Sequence, residues 1–312
     1  MITSPSLRYF ALSPIDSAIR SFSPIVALES TVITHGLPRP QNLALAGDME
    51  RVVRENGAMP ATIAILDGEI HVGLTTTELE RLANEYNVRK ISRRDIASAI
   101  IKKEFGGTTV AGTMFIAQKA GIKVFATGGI GGIHDLETFD ISADLQALAD
   151  TPMLVVCAGA KAILDLPSTL EYLETMGVPV IGYQTDRFPE FFSPGEKRPV
   201  SARLDSAEEI VAFARQHWNL GLQSAVLVCQ PVPANEKLDA HAADEAERKA
   251  SQEASEKNIR GQKLTPFLLN RVNELTGGKS MRANLALLLN NARLAAQISR
   301  AMVAFEHPQA LA

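Results

Sequence analysis

Short apolar runs alternate with amphipathic stretches along most of the chain. Residues 24–28 form a continuous apolar run of strand length, while residues 43–55 carry apolar positions three and four apart and stop at Gly57, which predicts a helix. Residues 61–66 and 69–74 flank Asp67-Gly68, a dipeptide suited to a two-residue hairpin turn. A helix is predicted over 77–86 and a short strand over 88–91, after which Ser92 can cap a helix over 93–104. Residues 122–126 read as a strand that runs into Thr127-Gly-Gly-Ile-Gly-Gly132, and further strands are predicted at 153–158, 178–183 and 225–229. Strands alternating with helices imply an α/β fold, layered α/β/α, and the hairpin makes its central sheet mixed but mostly parallel.

The last third of the chain reads differently. Residues 239–258 hold no large apolar side chain, and Ala243, Ala246, Ala250 and Ala254 recur at three- and four-residue spacing. An exposed helix with a thin alanine face fits this pattern, with close packing at a subunit interface as one use for that face; a flexible linker is the alternative. Thr265-Pro266 suits a helix start, with threonine as cap, and Gly277-Gly278 suits its end. A final helix begins near Ser280 with Leu285, Leu288, Leu289, Ala292 and Ala296 on one face. Asn284 and Asn291 fall together beside that stripe and Asn290 points elsewhere. An amide at a core edge needs partners, which are either structural backbone groups or a planar ligand. No internal repeat occurs. The expected organisation is an N-terminal extension over 1–18, one α/β catalytic domain over 19–304 and a tail over 305–312.

Composition narrows the function classes. A chain of 312 residues can bury a large core. Its formal net charge is only −4 and no basic stripe accompanies it, so neither nucleic-acid polymers nor anionic membranes are expected partners. Cys157 and Cys229 both lie in apolar strand-like runs, the pattern of buried thiols in a reducing compartment. No apolar run reaches the roughly 18 residues of a membrane span, and the N-terminus lacks a secretion signal pattern, so a cytoplasmic protein is expected.

Parallel α/β sheets place their chemistry beyond the carboxyl ends of their strands. Lys161 follows such a strand and two small residues, Gly159 and Ala160, at a predicted strand-to-helix junction. A lysine there can serve as an amine nucleophile or simply begin a helix facing water. Glu29 closes the first strand, next to Ser30 and Thr31, as an acid/base candidate or an ion-paired loop carboxylate. His35 reads as polar surface. Ser142 can cap a helix through Leu148, leaving Asp140 and Asp144 near its positive end; they are candidates for a hard divalent cation or ordinary helix-start acids. The loop 128–132 lacks the order of a dinucleotide fingerprint and is either a phosphate-approaching loop or a plain tight turn. Lys90, Arg93 and Arg94 bracket a junction where an anion can bind, or form a solvated basic turn.

Taken together, several blocks resemble the pseudouridine-5′-phosphate glycosidase family, also called indigoidine synthase A-like proteins. They are Val26-Ala-Leu-Glu-Ser-Thr31 with His35-Gly36 and Pro40-Gln-Asn42; Lys90-Ile-Ser-Arg-Arg-Asp95; Gly107-Thr-Thr-Val-Ala111; Val124-Phe-Ala-Thr-Gly-Gly-Ile-Gly-Gly132; Phe139-Asp-Ile-Ser-Ala-Asp144; Val155-Val-Cys-Ala-Gly-Ala-Lys161; Gly182-Tyr-Gln-Thr185; and Thr265-Pro-Phe-Leu-Leu269 with Asn284. The resemblance runs from about residue 20 to residue 304. In Val228-Cys-Gln-Pro231 the family often has asparagine where this chain has Gln230.

The resemblance implies reversible cleavage of the C–C glycosidic bond of pseudouridine 5′-phosphate, with water, to uracil and ribose 5-phosphate. It implies a lysine imine on a ring-opened sugar, a divalent metal (manganese, or another such as magnesium) and a homotrimer. Position by position, Lys161 then looks like the nucleophile, Glu29 like the proton donor and Asp140 like the metal ligand. Lys90, Val110, Ser142 and Asp144 resemble substrate-binding positions, and Asn284 matches an active-site asparagine. Between the two lysines, Lys161 is expected to be the more desolvated because of its apolar strand. The rival readings are another lysine-imine enzyme on a sugar phosphate, such as an aldolase, and a non-catalytic sugar-phosphate sensor. The presence of Glu29, Asp140, Asp144 and Lys161 together speaks against the sensor.

Overall fold

Alternate residues of the central strands face two different apolar cores. Val26, Leu28, Val124, Ala126, Leu154, Val156, Val226 and Val228 belong to one; Ile25, Ala27, Phe125, Val155, Cys157, Leu227 and Cys229 belong to the other. With side chains alternating every residue, only a sheet covered on both faces buries both sets, which explains why these runs are continuously apolar. The computed structural model describes residues 10–12, 15–135, 139–259 and 264–307.

In chain order the elements are β1 (Phe10–Ala11), α1 (Asp16–Arg20), β2 (Ile25–Leu28), α2 (Gln41–Glu55), β3 (Met59–Leu66), β4 (Glu69–Val72), α3 (Thr76–Asn84), β5 (Val88–Ile91), α4 (Ile96–Ile101), β6 (Phe105–Thr108), α5 (Val110–Lys119) and β7 (Val124–Ala126). They continue with β8 (Ile133–Asp135), β9 (Asp140–Ile141), α6 (Ala143–Asp150), β10 (Leu154–Cys157), α7 (Leu166–Thr175), β11 (Val180–Tyr183), β12 (Ala202–Leu204), α8 (Ala207–Asn219), β13 (Val226–Cys229), α9 (Ala240–Glu256), α10 (Leu264–Leu275) and α11 (Lys279–Glu306).

Strands β3, β2, β7, β10, β13, β11 and β12 lie side by side in that order, all parallel. Strands β4 and β6 join β3 antiparallel, which makes the sheet mixed as expected. The chain leaves β2 toward β3 on one side and leaves β7 toward β10 on the other. The crevice beyond the carboxyl ends of β2 and β7 is therefore the topological switch point, where open α/β sheets bind ligands. Helices α5, α6 and α7 contribute to the first-face core with Phe125 and Val155. Helices α2, α8 and α11 cover the opposite face.

The hairpin turn forms at Asp67 (φ 51°) and Gly68 (φ 81°), the positive φ pair of a type I′ turn. The helix expected over 93–104 opens instead with a 3-10 turn, Arg93–Asp95, and α4 ends at Ile101. Lys103 stops it at φ 53°, and Lys103 Cα lies 2.8 Å from where a Cβ on Gly68 would stand, so the hairpin limits the helix's length. Thr265 sits inside the first turn of α10, one residue after its start, and not at its cap. Part of the stretch expected as an extension is built into the fold: β1 pairs with β4, and Ile15 and Ala18 are buried. Its residues 1–9 and 13–14, and residues 308–312 of the expected tail, lie outside the described residues.

Helix α9 departs most from expectation. Its alanine face is not exposed: Ala243, Ala246, Ala250 and Ala254 are all buried within the chain, and α9 packs along α10. Alanine allows this close approach, and Arg271 of α10 clamps it with hydrogen bonds of 2.9 and 3.0 Å to Glu253. Cys157 and Cys229 are register partners on β10 and β13, fully buried with their sulfurs 3.9 Å apart.

Ala250→Leu is expected to overpack the α9–α10 seam and lower unfolding free energy by about 1–3 kcal/mol, while Ala242→Leu on the exposed side changes it by less than about 0.5 kcal/mol. Urea denaturation checks this; equal midpoints for the two variants would contradict the buried face.

Candidate active site

The ladder between β2 and β7 ends with Leu28 opposite Ala126, so the next residues, Glu29 and Thr127, stand side by side beyond it. The Thr127 hydroxyl donates a hydrogen bond to Glu29 Oε1. Glu29 is 7 % exposed, and burial pushes its carboxyl above the usual range. The positive charge of Lys161, the Thr127 hydroxyl and Lys90 act against that rise, while Asp144 adds to it.

Beyond β10 the chain turns at Gly159, whose φ of 86° and contact with the Pro189 carbonyl leave no room for a side chain. The glycine loop zips to this segment: Ala158 N–H donates to Gly128 O (2.8 Å), Ile130 N–H to Gly159 O (3.1 Å) and Lys161 N–H to Ile130 O (3.1 Å). Lys161 therefore sits on a clamped loop and not at a helix start. The following helix, α7, begins only at Leu166, because Asp165 caps it by accepting from Ser168 N–H at 3.0 Å.

Ser142 caps α6 as expected, accepting from Asp144 N–H at 3.2 Å. Asp144 then reaches across the cavity wall. Its Oδ1 accepts from Ala111 N–H in the first turn of α5 at 2.9 Å, and its Oδ2 accepts from Gly131 N–H at 2.8 Å. Asp140 lies apart on β9, half-buried. Each Asp144 oxygen thus already accepts one backbone donor. Among the described residues, no group of three or more His, Cys, Asp or Glu side chains is placed to hold a metal ion.

A cavity of about 620 Å³ opens at the switch point, and Glu29, Lys90, Val110, Asp140, Ser142, Asp144, Lys161 and Asn284 all line it. Burial pushes the Lys90 amine below the usual lysine range, and the charge of Lys161 acts in the same direction. Lys90 and Lys161 are both half-buried in this cavity. Arg93 also lines the cavity but is bonded to Asp150 at 2.8 and 3.0 Å. Asn284 is at the wall, whereas Asn291 lies beneath the glycine loop and bonds its backbone.

Sequence reasoning missed three participants. His134 lines the cavity, and burial lowers its imidazole while Asp140 opposes the shift. His35, expected as polar surface, is half-buried in a π-helical turn (Val32–Gly36) at the cavity edge, lowered by burial and by Lys90. Irregular helical turns of this kind recur at functional sites. Thr127 carries no signal of its own; only the strand register pairs it with Glu29.

Residues 14–301 match the sequence family described as indigoidine synthase A like protein. The chain belongs to that family. A pseudouridine-5′-phosphate glycosidase of Geobacillus kaustophilus is 55 % identical over 279 residues, covering 89 % of this chain and 93 % of the relative. A protein of the same name from Escherichia coli is 50 % identical over 301 residues, covering 95 % and 96 %. Among solved members of similar fold, the prealnumycin C-glycosynthase AlnA, in complex with ribulose 5-phosphate, superposes with a TM-score of 0.89 at 38 % identity, over 97 % of this chain and 99 % of that one. An indigoidine synthase A-like protein from Thermotoga maritima gives a TM-score of 0.85 at 33 % identity, over 93 % and 95 %. The layered mixed sheet is thus the family's fold.

The buried Glu29 makes a stability prediction with a definite sign. Its carboxyl lies above the unfolded value of 4.5, so its contribution is full below that pH and is lost as pH rises through the folded value. Glu29→Gln keeps the shape without the titration. The stability gain of Glu29→Gln over the wild type should therefore grow between about pH 4 and about pH 7 in urea unfolding. A pH-independent difference would contradict the burial of this carboxyl.

Proposed function

We propose that the chain is a pseudouridine-5′-phosphate glycosidase that converts pseudouridine 5′-phosphate and water reversibly to uracil and ribose 5-phosphate. The observation that carries this reading is the meeting of Glu29, Lys90, Asp140, Asp144, Lys161 and Asn284 in one cavity at the switch point, in a chain half identical to proteins of that name.

A uracil carbon is a poor leaving group, so protonating a glycosidic atom does not free it. In this reading Glu29 gives its proton to the ring oxygen O4′ as the C1′–O4′ bond breaks, and Lys161 Nζ bonds to C1′. The nitrogen lone pair then forms a C1′=N imine as the C1′–C5 bond breaks, and uracil C5 takes up a proton. Water hydrolyses the imine and returns the lysine amine with ribose 5-phosphate. Raising the Glu29 carboxyl by burial suits a proton donor near neutral pH. Lys90 and Ser142 complete an anion site for the phosphate beside the N-terminus of α5, where Val110 stands. Asn284 offers an amide to the base edge. Asp144 contributes by fixing the loop and helix that shape the site.

Asp140 is the residue that would hold a manganese or magnesium ion. A single carboxylate with remaining positions left to water and substrate oxygens fits the oxygen chemistry of these ions. When bound, such an ion supplies positive charge to orient and neutralise the phosphate end. We further propose a homotrimer, supported by the family resemblance and not by α9, and a cytoplasmic location, supported by the two buried thiols. Among the described residues no helix is long and apolar enough to cross a membrane.

Incubation with pseudouridine 5′-phosphate and manganese should release uracil, and exhaustive chelation, verified by elemental analysis, should abolish the release. An aldolase-type relative or a sensor would yield no uracil. Borohydride with ribose 5-phosphate should leave a stable adduct on the peptide containing Lys161, lost in Lys161→Ala and only weakened in Lys90→Ala. An adduct on Lys90, the amine that burial lowers, would reassign the nucleophile. Light scattering should give about three times the 33.6 kDa chain mass; a monomer would overturn the assembly.

A further inference from the structure

Asn291 is 1 % exposed and lies two turns after Asn284 on the same face of α11. Its Nδ2 donates to Thr127 O at 2.9 Å and to Gly128 O at 3.4 Å. These two carbonyls lie just beyond β7. The approach is close because Gly128 has no side chain: a Cβ there would stand 3.1 Å from Leu288 Cδ2 and 3.4 Å from Leu287 Cδ1. On the other flank, Thr127 N–H donates to Val156 O at 3.0 Å. The Thr127 backbone is thus held from both sides, and its hydroxyl bonds Glu29 Oε1.

We propose that Asn291 and Thr127 are positioning residues for Glu29, forming a relay from α11 to the carboxyl that fixes its orientation. A hydroxyl has one proton to give, and Thr127 gives it to Oε1. The bond to Oε1 leaves Oε2 free to face the cavity chemistry. The charged groups that act on Glu29 are Lys161, Asp144 and Lys90, and none of them is bonded to it. Thr127 is the bonded partner, and its donation opposes the effect of burial. Removing the hydroxyl frees the carboxyl to rotate and drives its titration further upward.

Carboxyl ¹³C NMR of Glu29 in glutamate-labelled protein tests the relay without any substrate. Thr127→Val, which removes the donor and leaves the backbone bonds, should move the titration to higher pH, and Thr127→Ser should restore it. Asn291→Ala should move it the same way by less, and the double variant should move it no further than Thr127→Val. Should Asn291→Ala not fold, Asn291→Ser takes its place. The role of Glu29 as proton donor rests on the glycosidase reading. In turnover, Thr127→Val should lower kcat by about 10- to 100-fold, within the span of general acid catalysis, with KM changed by less than about twofold and the alkaline limb moved upward. An unmoved Glu29 titration in Thr127→Val, or additive shifts in the double variant, overturns the relay. Absence of uracil from the wild type overturns the glycosidase reading and leaves the NMR titration to judge the relay alone.

Discussion

Asp144 accepts one backbone N–H from the first turn of α5 and one from the glycine loop, and the cavity exists in its shape because of that pair of bonds. Two segments separated by a strand are tied at one carboxylate. A Cβ on Gly131 would stand 2.7 Å from Asp144 Oδ2, so the loop meets this carboxylate through bare backbone. The same loop then zips to the segment that ends in Lys161. Losing one hydrogen bond here would leave a buried backbone donor unpaired and release the wall of the site, a larger effect than the usual value of one bond.

Around this frame, two amines and two carboxylates share a small volume. The charge of Lys161 works against the charged form of Lys90 and that of Asp144 against the charged form of Glu29, while the neighbours of opposite charge favour both. Burial then separates the roles. It favours the neutral acid at Glu29 and the neutral amine at Lys90, while both Asp144 oxygens are occupied by backbone donors. Burial thus moves a carboxyl and an amine toward each other in titration within one cavity, the pattern that marks sites of proton transfer.

Much of this was legible in the chain. The continuous apolar runs announced a sheet covered on both faces, and Asp67-Gly68 and Gly277-Gly278 marked a turn and a helix end that the structure contains. Glu29, Lys161 and Ser142 could be ranked from their places at strand ends or a helix start. What escaped was tertiary. Nothing in the sequence says that Leu28 pairs with Ala126, so nothing singled out Thr127. The alanine face of α9 looks the same whether its partner is water, another subunit or α10. Lys90 and Lys161 lie far apart in sequence, and only the fold brings both to one cavity.

The two thiols lie at the seam between β10 and β13, a few residues before the loop that carries Lys161. Burial pushes Cys229 well above the usual thiol range, so in the folded chain it is neither exposed nor ionised, and it is inert to alkylating reagents. It becomes reactive only when that seam parts. The protein thus carries a built-in clock for breathing of the sheet beneath its active site: the alkylation rate of Cys157 and Cys229 measures how often the strand holding the lysine loop lets go of its neighbour.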